Sequence, residues 1–144
     1  IGRRILGQLL DIEATDLRIP TDIDSIVRLQ TKKTGALIEW SLQAGPLMAG
    51  EKTDSLKQFA KFLGLAFQIR DDILDIEGES HKVGKKLRKD NMAGKATFVN
   101  LLGLNGAKRK ARSLINQSIR ELDAINASTD NLKAVAQFVI SRDL

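Results

Sequence analysis

The chain has 144 residues, of which 42% are hydrophobic, so it is long enough to bury the core of one domain. It contains no cysteine and a single histidine, which excludes disulfides, thiolate chemistry and histidine-rich metal sites. The net charge of +5 predicts a surface that attracts phosphate groups, whereas an aromatic content of 4% gives little support to base stacking on single-stranded nucleic acid.

Apolar residues recur at spacings of three and four along most of the chain, so we predict an all-α fold. Helical periodicity is already present at Ile1, and we therefore interpret residues 1–144 as the C-terminal portion of a larger domain. No apolar run reaches the roughly 18 residues that span a bilayer, and no signal peptide pattern is present. We expect a soluble, cytoplasmic protein without a membrane span.

Three helices are predicted in the first third of the chain. The first covers residues 1–17 and ends before Pro20, and the second covers residues 21–33. The third covers residues 36–49. Because Pro46 lacks a backbone donor, we expect a bend or a break in this third helix.

A long central helix is predicted after Thr53, which can cap it. Residues 62–67 are apolar on all sides, which is typical of a helix buried among others, and the helix is predicted to end at Asp75. The periodicity then fails over residues 77–94, which we interpret as a mobile basic loop. Further helices are predicted at residues 95–104, 105–125 and 129–142.

The end of the central helix carries three acids, Asp71, Asp72 and Asp75, whose spacing places them on one helix face. Each like-charged pair costs about 0.2–0.5 kcal/mol, and no cation stands three or four residues from them. The compensating charge must therefore come from another segment or from a bound metal. Clustered carboxylates suit Mg²⁺ together with substrate phosphates, and the plainer alternatives are a solvated helix end or ion pairs with nearby lysines.

Residues 67–75, FQIRDDILD, resemble the second aspartate-rich motif of the polyprenyl diphosphate synthases. Three further elements of that family occur in the same order. These are Gly7 and Gln8 with Asp11, then Lys33 and Thr34, then Gly84 and Lys85 with Asp90, Gly94 and Lys95. The chain is most similar to the bacterial short-chain members, but the first aspartate-rich motif of the family is missing from it.

The resemblance implies a helical bundle of the isoprenoid synthase type. The implied activity is a prenyltransferase that condenses an allylic diphosphate with isopentenyl diphosphate to give farnesyl or geranylgeranyl diphosphate. Mg²⁺ is the implied cofactor, prenyl diphosphates rather than nucleic acid are the implied partners, and a homodimer is the implied assembly. Asp71 would be the chief metal ligand, and Asp72 and Asp75 would complete the acidic face.

The resemblance also implies contacts to the substrate diphosphate. Gln68 would orient a carboxylate or the diphosphate, Lys33 and Lys85 would contact its oxygens, and Thr34 would offer a hydroxyl group. Asp90 and Lys95 would order the loop over the substrate. The implied catalytic residues are Lys33, Thr34, Gln68 and Asp71.

Two other functions are compatible with these features. A terpene cyclase would share the helical fold and ionise the same substrates, although the Lys33–Thr34 and Gly84–Lys85 elements favour chain elongation. A non-catalytic helical module could instead bind nucleic acid or acidic surfaces through the basic loop, and such binding would depend on salt but not on Mg²⁺.

Overall fold

The computed structural model describes residue 27, residues 35–82 and residues 97–142, with only the backbone for residues 79–82. Its regular elements are α1 (Ala36–Met48), α2 (Asp54–Lys82), α3 (Phe98–Glu121), a short 3₁₀ helix (Leu122–Ala124) and α4 (Asp130–Ser141). These residues include no strand, so the all-α prediction is confirmed. The predicted helices at residues 1–17 and 21–33 lie outside the described residues, apart from the helical Val27.

Helix α1 continues through the proline that was expected to interrupt it. Pro46 lies in the last turn, so its missing donor affects the helix only near its end at Met48. The Ala49 N–H reaches the carbonyl groups of Gly45 and Pro46, both at 3.1 Å, and Gly50 then adopts a φ of 74°. The helix thus ends within one residue of its predicted end at residue 49, and the chain turns at a glycine that tolerates left-handed backbone.

Helix α2 is the central element of the fold. Its buried side chains form one stripe at helical spacing, which consists of Phe59, Leu63, Ala66, Ile69 and Ile73. Helix α2 packs most extensively against α3 and also contacts α1 and α4. No helix in the described ranges combines the length and apolar character that crossing a membrane requires.

The predicted loop begins too early, because α2 runs past the acidic cluster to Lys82. Ile76 packs against the core, and Glu77 pairs with Arg70 at 3.4 Å and with Lys108 of α3 at 2.5 Å. These tertiary contacts extend the helix beyond the point at which apolar periodicity is lost. The prediction of a loop is therefore wrong for residues 77–82, and residues 83–94 lie outside the described residues.

Helix α3 covers most of the two helices that were predicted at residues 95–104 and 105–125. Gly103, with φ 68° and ψ 164°, interrupts the helical geometry close to the predicted junction. The helix begins after Thr97, whose side-chain oxygen accepts a hydrogen bond from the Asn100 N–H at 3.2 Å. Helix α4 lies within the predicted residues 129–142 and buries Ala136 and Val139.

Two glycines allow α1 and α2 to approach each other closely. A Cβ atom at Gly64 would lie 3.2 Å from the Gly35 Cα atom and 3.5 Å from the Ile38 Cδ1 atom. Gly64 stands one helical turn before Gln68 and on the same side of α2. The missing side chain at Gly64 thus sets how near the start of α1 comes to the region of the acidic cluster.

We predict that Gly64→Leu destabilises the protein by about 1–3 kcal/mol, because the added side chain must push the α1 backbone away. The matched control is Lys61→Leu, which places the same side chain at an exposed position of α2 and should change the unfolding free energy by less than about 0.5 kcal/mol. Urea denaturation measures both variants. Equal stability of the two would show that the helix contact is not restrictive.

Candidate functional site

The three acids of the cluster lie inside α2 rather than at its end. Asp71 and Asp72 are half-buried, whereas Asp75 is exposed. The two residues that flank the first pair on the core side, Ile69 and Ile73, are fully buried. The carboxylates of Asp71 and Asp72 therefore lie at the edge of the packed core, where their charges are less well solvated than at a free helix end.

The carboxylate of Asp72 lies at the start of α3. Its Oδ2 atom accepts a hydrogen bond from the Phe98 N–H at 3.3 Å, and the side chain of Gln68 also hydrogen bonds to it. The first N–H groups of a helix have no partner within the helix, and that end favours negative charge. Asp72 and Thr97 together satisfy two of these groups at the N-terminus of α3.

Burial nevertheless makes the charged form of Asp72 unfavourable. It raises the pKa of Asp72 from 3.8 to about 6, and the negative charges of Asp75 and Asp71 act in the same direction. The hydrogen bonds from Phe98 and Gln68 lower this pKa but do not offset burial. A cation close to Asp72 would therefore stabilise the ionised form of its carboxylate.

The charge that compensates Asp71 comes from the other end of the described chain. The Arg142 guanidinium donates through Nη2 to Asp71 Oδ1 across 71 residues of sequence. Burial still raises the pKa of Asp71, and Asp75 adds to that effect, while the charge and hydrogen bond of Arg142 oppose it. The sequence left open whether the compensating positive charge comes from another segment or from a metal. The structure shows that another segment supplies it at Asp71.

Four of the predicted site residues lie in the described part of α2, namely Gln68, Asp71, Asp72 and Asp75. The structure brings Gln68 into contact with Asp72, and its assignment to substrate binding stays a prediction. The other predicted residues lie outside the described residues. These are Lys33, Thr34, Lys85, Asp90 and Lys95, together with the Gln8 and Asp11 element.

Two groups at the site were not anticipated from the sequence. The Phe98 N–H is a backbone group, and the only sequence signal for it is Thr97, a capping residue that precedes an apolar run. Arg142 gives no local signal, because its partner lies in a distant helix. Both groups become visible only when α3 and α4 pack against α2.

The described carboxylates supply only part of a metal coordination sphere. Within the described ranges, no three side chains of His, Cys, Asp or Glu are arranged to hold one ion. Mg²⁺ commonly takes one or two protein carboxylates and fills its other positions with water and substrate phosphates. Asp71 and Asp72 fit that chemistry as neighbouring hard oxygen donors, and the assignment of Asp71, Asp72 and Asp75 as ligands stays a prediction.

Comparison with known sequences gives a consistent picture. A sequence profile described as Polyprenyl synthetase matches residues 1–138. The farnesyl diphosphate synthase of Escherichia coli (strain K12) is 40% identical over 144 residues, and the match covers 95% of this chain and 48% of that protein. The geranylgeranyl diphosphate synthase of Cyanophora paradoxa is 31% identical, with 95% and 46% covered. The chain spans about half the length of the curated relatives it matches.

Solved structures agree with this comparison. An apo FPP/GFPP synthase from Zymomonas mobilis superposes with a TM-score of 0.79 at 37% identity, covering 94% of this chain and 45% of that one. A geranyltransferase from Helicobacter pylori, complexed with magnesium and isoprenyl diphosphate, superposes with a TM-score of 0.72 at 32% identity. That match covers 97% of this chain and 46% of the other. The all-α architecture is therefore shared with these enzymes.

We predict that Asp72→Asn stabilises the metal-free protein at pH 7.5 by about 1–2 kcal/mol, because it removes a charge that burial disfavours. Partial solvation of the carboxylate keeps the gain to this size. The folded-state pKa of about 6 exceeds the ordinary value of 3.8, so the folded protein binds this proton more tightly than the unfolded chain. Stability contributed by the protonated group is lost as pH rises from about 4 to about 6. The advantage of the amide variant should therefore vanish near pH 4.

The measurement is urea denaturation in EDTA at several pH values between 4 and 7.5. Asp123→Asn is the matched control, because it removes the same charge from a largely exposed carboxylate. It should show no comparable gain at pH 7.5. An advantage of Asp72→Asn that did not depend on pH would contradict the assignment of the effect to ionisation.

Proposed function

The chain belongs to the polyprenyl synthetase family, and on that basis we propose that it forms the C-terminal portion of a Mg²⁺-dependent prenyltransferase. The proposed enzyme condenses an allylic diphosphate with isopentenyl diphosphate and releases farnesyl or geranylgeranyl diphosphate for isoprenoid biosynthesis. Relatives named farnesyl and geranylgeranyl diphosphate synthase support this reaction class. The magnesium and isoprenyl diphosphate bound to the Helicobacter pylori enzyme support the cofactor and the substrate class.

The observation that carries the proposal is the pair of half-buried carboxylates, Asp71 and Asp72, inside a helix at the edge of the core. Burial raises the pKa of both, so each carboxylate is poorly stabilised without an additional cation. Acidic residues that serve only to keep a protein soluble are normally exposed to water. Their position supports a role in holding a divalent cation together with the diphosphate.

Bound Mg²⁺ would supply the Lewis acid that stabilises negative charge on the departing diphosphate. Asp71 and Asp72 would provide carboxylate ligands, with Asp75 acting directly or through water. Gln68 would hold the Asp72 carboxylate in place, as its hydrogen bond to that group suggests. The surrounding apolar helix faces would exclude water that could quench the allylic cation.

The remaining diphosphate contacts are assigned by family resemblance. We propose that Lys33 and Lys85 bind diphosphate oxygens as point charges and that Thr34 adds a hydroxyl group. Asp90 and Lys95 are proposed to order the segment that covers the substrate. The basic net charge of +5 is consistent with an anionic substrate.

We also propose a cytoplasmic homodimer. This proposal follows the family resemblance, and an apolar surface on α1 that the described part of the fold leaves uncovered is compatible with it. Its exposed side chains are Leu37, Trp40, Leu47 and Met48, and Trp40 and Met48 are 68% and 90% exposed. Apolar surface of this kind is characteristically buried in a larger unit, whether by the rest of the domain or by a second copy.

We predict that Asp71→Asn in the complete protein lowers kcat/KM for Mg²⁺-dependent condensation by at least about 100-fold, because it removes a charged ligand where charge develops. The assay uses geranyl or dimethylallyl diphosphate with isopentenyl diphosphate. Asp123→Asn removes a distant exposed carboxylate and should retain normal turnover. Undiminished elongation by the Asp71 variant would refute the proposed site.

We further predict that the 144-residue chain has no prenyltransferase activity by itself, since it lacks the first aspartate-rich motif. The complete protein should form a linear product one isoprene unit longer, and only when isopentenyl diphosphate is present. Product analysis by mass spectrometry decides between the alternatives. Elongation by the chain alone would show that the described half is sufficient, and a cyclic product made without isopentenyl diphosphate would indicate a terpene cyclase.

A further inference from the structure

We propose that Arg142 forms an ion pair with Asp71 in the metal-free protein and that this pair has to break before a divalent cation binds. The side chain at the end of α4 would therefore change position when the metal binds. The proposal rests on the proposed function in one respect, namely that Asp71 is a metal ligand. It adds a residue to the site that neither the family motifs nor the spacing of the acids identified.

The contact between the two side chains is direct and partly shielded from water. Arg142 Nη2 donates to Asp71 Oδ1, and the two side chains are 20% and 37% exposed. Among the described residues, Arg142 is the cation whose charge acts on Asp71, whereas Asp75 acts on it with like charge. Arg142 therefore supplies the positive charge that the acidic cluster requires when no metal is present.

The backbone of Arg142 is held independently of its side chain. Its carbonyl oxygen accepts a hydrogen bond from Arg70 Nη2 at 2.6 Å, and its N–H donates to the Phe138 carbonyl oxygen at 2.9 Å. Arg70 is itself bonded to Glu77, which pairs with Lys108 of α3. The end of α4 is thus fixed to α2, and only the guanidinium group has to move for Asp71 to become accessible.

The guanidinium also lies over an aromatic ring of α2 while it pairs with Asp71. Its central carbon lies 4.1 Å from the centroid of the Phe67 ring, and Phe67 stands one turn before Asp71 on α2. A cation over an aromatic ring is stabilised without a carboxylate partner. The Phe67 ring would therefore continue to attract the guanidinium after it moves away from Asp71.

The guanidinium of Arg142 does not make all of its possible hydrogen bonds in the ion pair. Its Nε atom is buried and has no hydrogen-bond partner among the described residues. A buried donor without a partner makes a structure less stable. The pair with Asp71 is consequently a contact that a better cation can replace, rather than a fully bonded structural bridge.

A divalent cation at Asp71 would stand next to the guanidinium, and the two positive charges would repel each other. Binding of the metal and retention of the ion pair therefore compete. The competition lowers the affinity of the free protein for Mg²⁺. The positive charge of Arg142 also offsets the repulsion among the acids when no divalent cation is bound.

The test is calorimetric titration of the complete protein with Mg²⁺ in the presence of inorganic pyrophosphate. Arg142→Gln should bind Mg²⁺ about five- to tenfold more tightly than the wild type, because the competing cation is gone. Its melting temperature in EDTA should be lower than that of the wild type, and saturating Mg²⁺ should narrow the difference. Arg142→Lys, which retains the charge, should return the affinity most of the way to the wild-type value.

The matched control is Lys133→Gln. It removes one positive charge from the same helix, but its partner, Asp123, lies at 3.3 Å on the surface. Its affinity for Mg²⁺ should equal that of the wild type. This control separates competition at Asp71 from a general change in net charge.

The outcomes that overturn the proposal are distinct from those that overturn the enzyme assignment. Equal or weaker Mg²⁺ binding by Arg142→Gln, in a protein that elongates prenyl diphosphates, would reject the competition and leave the function intact. If Mg²⁺ binding did not depend on Asp71 and the complete protein showed no turnover, both the competition and the enzyme assignment would be rejected. An effect of Lys133→Gln as large as that of Arg142→Gln would also reject the proposal.

Discussion

The half-buried negative charge on α2 connects the separate elements of this structure. Each carboxylate there is balanced from a different direction: Asp71 by the residue that follows α4, and Asp72 by the first amide of α3 and by Gln68. These contacts only partly offset burial, since the pKa of both acids stays raised. The acidic cluster is thus a junction at which three helices meet, and its electrostatics are inseparable from the packing of the bundle.

The placement of this junction follows from the way α2 is packed. Its buried stripe ends with Ile69 and Ile73, and Asp71 and Asp72 lie between these two core residues. A site on a packed helix is held more firmly than one on a loop. The close approach of Gly35 and Gly64 adds a second constraint, because it brings the start of α1 to the same side of α2. The described helices therefore hold Asp71 and Asp72 on a packed helix next to the start of α1.

The parts of this structure that the sequence predicted are those governed by local rules. Periodicity indicated an all-α fold, the bounds of α4 and an interruption near Gly103, and the aspartate motif indicated the cluster. Contacts between distant segments were not predictable. The extension of α2 to Lys82 depends on the pair between Glu77 and Lys108, and the charge balance at Asp71 depends on Arg142. Spacing within one helix contains no information about either.

The uncovered surface of α1 has a practical consequence. Trp40 is the only tryptophan of the chain, tyrosine is absent, and the indole is 68% exposed on that surface. Ultraviolet emission of the chain therefore originates from one solvent-facing ring, well separated in sequence from the acidic cluster. An indole that leaves water emits at shorter wavelength, so the molecule carries its own optical reporter of whatever comes to lie against α1.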